Sequence, residues 1–265
     1  QIQYGLQIPL LGILPDWKKH TRRKQISDYR LVTKQDKSGN AATLYRRLRI
    51  ALDEKLGMAN RYSLLVASPS KGDGKTTTTV NLALAYSWVR RKVLIVDDAL
   101  AEPRLHEAFR IQPTSGLVDV LTGAVSDWHQ AVYPTAEEGI DMIPGGAYTP
   151  ASNDQFKPRE FRELVEEWNR EYNIVIIDTD PTAGRITNTS FIDACTGILL
   201  VVRPHGNRFL DVRHTVETFE NGNIVGFCAN HFRVTTQLRT CPNPVCRTGV
   251  LCPFAHFKKC RHHSV

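Results

Sequence analysis

The amino-acid sequence predicts an α/β fold, in which a doubly wound and mostly parallel sheet carries helices on both faces. Five short apolar runs are continuous rather than alternating in hydrophobicity, which is typical of strands buried on both faces of a parallel sheet. Segments with apolar residues at helical spacing lie between these runs, and this alternation is typical of crossover connections. A chain of 265 residues, 42% of them hydrophobic, can form one such domain with short appendages.

The predicted elements follow one another from residue 62 onwards. Strands are predicted at residues 63–68, 92–97, 173–178, 197–202 and 223–228, and helices at 75–91, 158–172 and 209–220. The chain then divides into four regions, which are a basic segment (1–24), a linker with a helix (25–60), the α/β domain (61–230) and an irregular basic tail rich in cysteine and histidine (231–265).

Charge is distributed unevenly along the chain, whose formal net charge is +7. Basic residues concentrate at 18–24 and 231–265, whereas the remainder is net acidic. An acidic body with two basic ends argues for local contacts at the ends, and no nucleic-acid partner is expected. The cluster at 18–24 fits a juxtamembrane stretch on the cytoplasmic side, although a solvated charge run gives the same pattern. Apolar runs such as 198–202 are far too short to cross a bilayer, so we expect a soluble fragment.

A glycine-bearing turn, "SPSKGDGKTTTT" at 68–79, lies between the first predicted strand and the first predicted helix. This context is typical of a phosphate-binding loop, although Pro69 replaces the usual first glycine and an ordinary glycine-rich turn is the alternative. Gly72 and Gly74 would let backbone N–H groups converge on phosphate, Lys75 would bridge the β- and γ-phosphates, and Thr76 would bind Mg²⁺. The predicted nucleotide-binding residues in the loop are Ser70, Lys71, Gly72, Asp73, Gly74, Lys75, Thr76 and Thr77.

Two predicted strands end in aspartate, at Asp97 and Asp178. A phosphate loop needs carboxylates at the ends of neighbouring strands to hold the metal and to position the attacking group. We therefore predict Mg²⁺ ligands at Thr76, Asp97 and Asp178, and catalytic roles for Lys75, Asp97 and Asp178. The alternative is that each aspartate only caps a turn.

At these residues the chain resembles the bacterial tyrosine autokinases of capsule and exopolysaccharide export, which are relatives of the MinD and ParA type of P-loop ATPase. The resemblance rests on the order of several segments, namely "IPLLGILPDWKK", "LYRRLRIAL", "VDDALAEPRLHEAF", "GLVDVLTG", "IDMIPGG" and "YNIVIIDTDP". It implies a P-loop domain at 61–230 that binds ATP and Mg²⁺, with Walker A at the loop, Walker A′ at Asp97 and Walker B at Asp178. It also implies an oligomerisation-type helix before the loop and places Asn230 near adenine.

The chain departs from the family pattern at several positions. Ala99 stands where the second aspartate of an Asp-x-Asp pair is usual, and Asp180 replaces a typical proline after Walker B. Thr43 replaces the glutamate of the oligomerisation helix, which keeps Arg46 and Arg49. The acceptor tyrosine cluster of the family is absent here, since the last tyrosine is Tyr172. We therefore expect weakened kinase activity, and a nucleotide-gated assembly ATPase of the MinD and ParA type is the alternative.

The resemblance also implies where the protein works and with what. We expect it at the cytoplasmic face of the membrane, as a homo-oligomer, beside a membrane polysaccharide co-polymerase region that is fused before Gln1 or forms a separate chain. In the tail, Cys241, Cys246, Cys252 and His256 have the residue types of a zinc site. We favour an irregular or misread terminus over zinc, because this spacing is loose.

Overall fold

The computed structural model describes residues 5–15, 33, 39–57, 61–147, 149, 158–182 and 191–232. Its eight strands are, in chain order, β1 (Leu10–Pro15), β2 (Tyr62–Ala67), β3 (Val93–Asp98), β4 (Tyr133–Pro134), β5 (Ile140–Ile143), β6 (Ile174–Thr179), β7 (Gly197–Val202) and β8 (Ile224–Phe232). They form one sheet in the order β1-β8-β7-β2-β6-β3-β5-β4. All neighbours run parallel except β4 and β5.

Helices cover both faces of this sheet. They are α1 (Asn40–Leu56), α2 (Lys75–Ser87), α3 (Leu105–Phe109), α4 (Leu117–Leu121), α5 (Pro158–Glu171) and α6 (Phe209–Thr218), with a 3-10 helix at Trp128–Ala131. Successive side chains of a strand point to opposite faces. Leu64 and Val66 of β2 therefore join the core beneath α1, α2 and α3, whereas Leu65 and Ala67 join the core beneath α4, α5 and α6. The predicted α/β fold with a mostly parallel sheet is confirmed.

The strand β1 extends the sheet beyond the predicted α/β domain. It pairs in parallel with β8, with Ile13 opposite Ala229, and lies at the edge of the sheet. The helix α1 packs over the same region and buries Tyr45, Leu48 and Leu52 completely. Sequence reasoning placed 10–15 in the basic segment and α1 in the linker region, but both belong to the structure that carries the loop.

The sheet brings β2, β6 and β3 together in that order, although β6 comes last of the three in the chain. Their carboxyl ends lie at one edge, and Asp97 is the register partner of Asp178. The phosphate-type loop follows β2 at this same edge. Ligands of open α/β sheets bind at such edges.

Two of the predicted regions lie outside the described residues. These are the basic cluster at 18–24 and the tail from residue 233 onwards, which includes the four predicted zinc ligands Cys241, Cys246, Cys252 and His256. In the part of the chain that is described, no helix has both the length and the hydrophobicity to span a membrane.

Candidate nucleotide-binding site

The loop between β2 and α2 contains two glycines with positive φ just before the start of α2. Gly72 and Gly74 have φ values of 84° and 99°, which only glycine adopts readily. Gly74 is the N-cap of α2, and no side chain caps this helix end. The free N–H groups and the positive end of the helix dipole therefore face the mouth of the loop, where an anion is stabilised.

Gly74 also lies against the end of β8. A Cβ atom added to Gly74 would lie 2.0 Å from Nδ2 of Asn230. That nitrogen donates to the backbone carbonyl of Asp73 at 2.7 Å. The structure thus places Asn230 beside the loop, and its side-chain amide holds the loop backbone.

Asp73 has a different environment from the one that the sequence suggested. Its carboxylate is fully buried and accepts hydrogen bonds from Nδ2 of Asn207, at 3.1 and 2.9 Å, and from the N–H of Ser70 at 2.8 Å. Arg203 lies 3.7 Å away as an ionic partner. Burial raises the pKa of Asp73, and the bonds from Asn207 and Ser70 oppose that effect. This side chain therefore fixes the shape of the loop.

Lys75 begins α2 and is buried, with 8% of its surface exposed. Its ammonium group donates to Oγ of Ser68 at 2.9 Å. Burial lowers the pKa of Lys75, and the charges of Asp178, Asp73 and Asp180 counteract this. A desolvated cation inside a phosphate loop interacts strongly with an anion, because water screens it poorly.

Thr76 and Asp178 form the contact that joins the loop to the neighbouring strand. The Thr76 hydroxyl donates to Oδ2 of Asp178 at 2.6 Å. The other carboxylate oxygen, Oδ1, is buried and has no hydrogen-bond partner of normal geometry among the described residues. Burial raises the pKa of Asp178 to about 6, against the lowering effects of the Lys75 charge and of the Thr76 and Thr79 hydroxyls. Burying such a carboxylate costs free energy unless a cation lies beside its unpartnered oxygen.

Asp97 caps the segment that follows its own strand. Its Oδ1 accepts the N–H of Ala99 at 3.3 Å, and its Oδ2 accepts those of Arg104 and Leu105 at 3.0 and 2.9 Å. Burial, followed by the nearby charge of Asp178, raises the pKa of Asp97 to about 8. The turn-capping alternative is thus present in the structure. It leaves about one of the carboxylate's four acceptor directions open.

The remaining predicted loop residues are peripheral. Lys71 is mostly exposed and forms an ion pair with Glu102. The carbonyl of Ser70 accepts from Oγ of Ser68, and the carbonyl of Thr77 accepts from Asn81. Their side chains contribute less to the interior of the site than those of Lys75 and Thr76.

The donors present fit Mg²⁺ held together with a nucleotide. No three histidine, cysteine, aspartate or glutamate side chains of the described residues form a metal-binding group by themselves. Mg²⁺ is commonly held by one or two carboxylates plus phosphate oxygens and waters, rather than by an all-protein cage. The unpartnered oxygen of Asp178 and the Thr76 hydroxyl are hard oxygen donors of this kind.

Sequence reasoning missed three residues that shape the loop, namely Ser68, Arg203 and Asn207. Ser68 directly follows β2, and the other two follow β7. The signal was available for Ser68 and Arg203, because a polar residue just after a parallel strand lies at the same edge as the loop, whereas Asn207 lies further along the segment after β7.

Comparison with known proteins agrees with this geometry. A model of the AAA domain family matches residues 64–207. The tyrosine-protein kinase YwqD of Bacillus subtilis is 32% identical over 158 residues, which cover 60% of this chain and 66% of that protein. The chain spans only 24% to 33% of the length of other relatives named tyrosine-protein kinases or putative ones.

The fold recurs among solved structures. The kinase domain of the Escherichia coli tyrosine kinase ETK superposes with a TM-score of 0.79 at 22% identity, over 89% of this chain and 96% of that one. The septum site-determining protein MinD of Pyrococcus horikoshii, solved with Mg-ADP, gives a TM-score of 0.56 at 25% identity, over 71% of this chain and 77% of that one. The family match covers more than half of the chain and includes the loop and both aspartate strands. The chain therefore belongs to the AAA domain family, and its relatives include bacterial tyrosine-protein kinases and MinD-type ATPases.

Proposed function

We propose that this chain binds ATP with Mg²⁺ at the loop after β2. The hydrogen bond from Thr76 to Asp178 carries the proposal, because it leaves one carboxylate oxygen buried and unpartnered beside Lys75. Mg²⁺, when bound, would neutralise charge on the phosphates. The structure of the similar MinD protein with Mg-ADP supports the same ligand class here.

The residues of the site then have distinct roles. Backbone N–H groups of the loop around Gly72 and Gly74 would hold the phosphates, and the ammonium group of Lys75 would stabilise the transferring phosphoryl group. Thr76 and Asp178 would hold the metal. In its ionised form, Asp97 would orient the acceptor hydroxyl and take its proton through the acceptor direction that its capping bonds leave open.

The proposed reaction is transfer of the γ-phosphoryl group of ATP to a tyrosine hydroxyl, which yields ADP and phosphotyrosine. Similarity to proteins named tyrosine-protein kinases supports it. Ala99 removes one carboxylate that the resemblance would place here, so we expect slow transfer. The function served would be control of exopolysaccharide or capsule chain length and export.

The described tyrosines differ in their access to such a reaction. Tyr45, Tyr62, Tyr86 and Tyr172 are buried, whereas Tyr133 is partly exposed. Tyrosine phosphorylation of the chain itself is therefore expected at Tyr133, or at tyrosines outside the described residues. An added tyrosine peptide serves as a second acceptor.

Calorimetry with Mg-ADP and Mg-ATP, followed by mass-spectrometric mapping of phosphotyrosine, tests the proposal. We expect binding and phosphotyrosine in the wild type and in Lys55→Met, an exposed lysine of α1, and loss of both in Lys75→Met. Binding without phosphotyrosine would favour the nucleotide-gated assembly ATPase. No affinity for either nucleotide in folded protein would refute both.

The partners and location are proposed on the same resemblance. We propose a homo-oligomer at the cytoplasmic face of the membrane, beside a polysaccharide co-polymerase region. In α1, Thr43 bonds the Gly39 carbonyl, while Arg46 stacks over the ring of Trp88 at 5.0 Å. Light scattering with and without Mg-ATP tests the oligomer, and a species that stays monomeric in both would contradict it.

A further inference from the structure

The structure places a carboxylate opposite the position where Ala99 lacks one. The strands β3 and β6 are parallel neighbours, with Asp97 opposite Asp178 and Asp98 opposite Thr179. Continuing that register by one residue sets Ala99 opposite Asp180. Adjacent parallel strands lie about 4.8 Å apart, so a side chain at one position can reach the space of the other.

Asp180 does reach across this gap. Its Oδ2 accepts the N–H of Ala101 at 3.2 Å, in the segment that follows β3. The charge of Asp180 also acts on Lys75 and on Asp178, so it lies within the electrostatic environment of the loop. The carboxylate thus lies just after β6, close enough to act on the charges of the site, and contacts the segment that starts at Ala99.

The same site contains the buried, unpartnered oxygen of Asp178, whose residue is 1% exposed. This oxygen indicates a cation, and a cation bound with a polyphosphate gains from a second nearby carboxylate. A site that lacks a carboxylate at Ala99 but has one at Asp180, after the adjacent strand, keeps the same net charge.

We propose that Asp180 supplies, from β6, the second carboxylate of the Mg-nucleotide site that Ala99 does not supply from β3. The inference rests on the proposed nucleotide site. It adds one residue to that site and gives a reason why Asp180 follows Thr179 at this edge.

The substitution Asp180→Asn removes the negative charge of this side chain and keeps an oxygen that can accept the N–H of Ala101. The measurement is the affinity for ADP by calorimetry, with Mg²⁺ and with EDTA. We expect the enhancement by Mg²⁺ to fall about tenfold or more. Affinity in EDTA should stay equal or rise, because one negative charge fewer faces the diphosphate. A purely structural role would weaken binding in both conditions.

Two further variants sharpen the test. Ala99→Asp in the Asp180→Asn background should restore the Mg²⁺ enhancement, since it returns a carboxylate from the opposite strand. Glu220→Gln removes the same charge from an exposed residue after α6, before the start of β8, and should change nothing. If Asp180→Asn fails to fold, Asp180→Ser carries the same comparison.

The outcomes separate this inference from the proposed function. No Mg-ADP affinity in the folded wild type refutes the nucleotide site itself. Wild-type affinity with an unchanged Mg²⁺ enhancement in Asp180→Asn refutes only the role of Asp180. A loss of enhancement that Ala99→Asp does not restore refutes the exchange of positions between the two strands.

Discussion

The substitution Asp97→Asn separates the capping role of this side chain from its ionisation. The amide oxygen of asparagine can accept the N–H groups of Arg104 and Leu105, which Oδ2 of Asp97 accepts in the wild type. Only the weaker contact to Ala99, at 3.3 Å, is given up. The fold should therefore survive, and what changes is the titration of the carboxyl group.

The magnitude follows from the pKa of Asp97, which burial and then Asp178 raise to about 8. In the unfolded chain the pKa of aspartate is about 3.9, so folding takes up a proton between these two pH values. The resulting stability is fully present below pH 4 and is lost as the pH rises through 8. From pH 9 to pH 7, this group raises the free energy of unfolding by about 1.4 kcal/mol. Asp178, with a pKa of about 6, stays mostly ionised in this window.

Urea denaturation at pH 7 and pH 9, without nucleotide or Mg²⁺, measures this difference. We expect the free energy of unfolding of the wild type to be about 1.4 kcal/mol higher at pH 7 from this group. In Asp97→Asn that contribution should vanish, while Glu220→Gln should keep it. An asparagine variant with the wild-type pH difference would show that Asp97 does not titrate in this range. The inferred effect of burial and of the Asp178 charge on Asp97 would then be wrong.

Three other substitutions probe the loop and the core. Gly74→Ala should abolish Mg-ADP binding in calorimetry, because φ of 99° costs a non-glycine residue about 1–2 kcal/mol and its Cβ would meet Asn230 at 2.0 Å. Asn207→Ala should lower the free energy of unfolding in urea by about 1.5–3 kcal/mol, since the buried carboxylate of Asp73 loses its amide donor. A value below 0.5 kcal/mol would contradict that bracing role. Phe161→Ala should cost about 3–5 kcal/mol in the same assay, because this ring of α5 is fully buried in the core, and binding measured below the transition should persist.

Local signals were sufficient to predict the loop and most of the sheet. Five apolar runs and three amphipathic segments have counterparts in the structure, because strands buried on both faces leave a continuous pattern. The short strand β4, with two residues, leaves no such pattern. The segment 10–15 is apolar enough for a strand, but its pairing with β8 depends on a contact more than two hundred residues away.

The parts of the site that were missed depend on the order of strands in space. Asp180 comes close to the segment after β3 only because β6 inserts between β2 and β3, and no local pattern reveals that order. The bonds of Asp97 to Arg104 and Leu105 depend on the path of the following segment. The sequence indicates which polar residues lie at strand ends. It does not indicate which of their side chains have an open acceptor position and which hold a loop by hydrogen bonds.

The position of β1 has a practical consequence for anyone cutting this chain into pieces. A fragment begun at residue 61 would lose both β1 and α1, although it would contain the complete loop and both aspartate strands. The backbone of β8 from Phe227 to Phe232 would become an unpaired edge of the sheet, and the core leucines that α1 covers would be exposed to solvent. An unpaired sheet edge can pair with the strands of other chains. We therefore expect such a fragment to aggregate before its activity can be assayed.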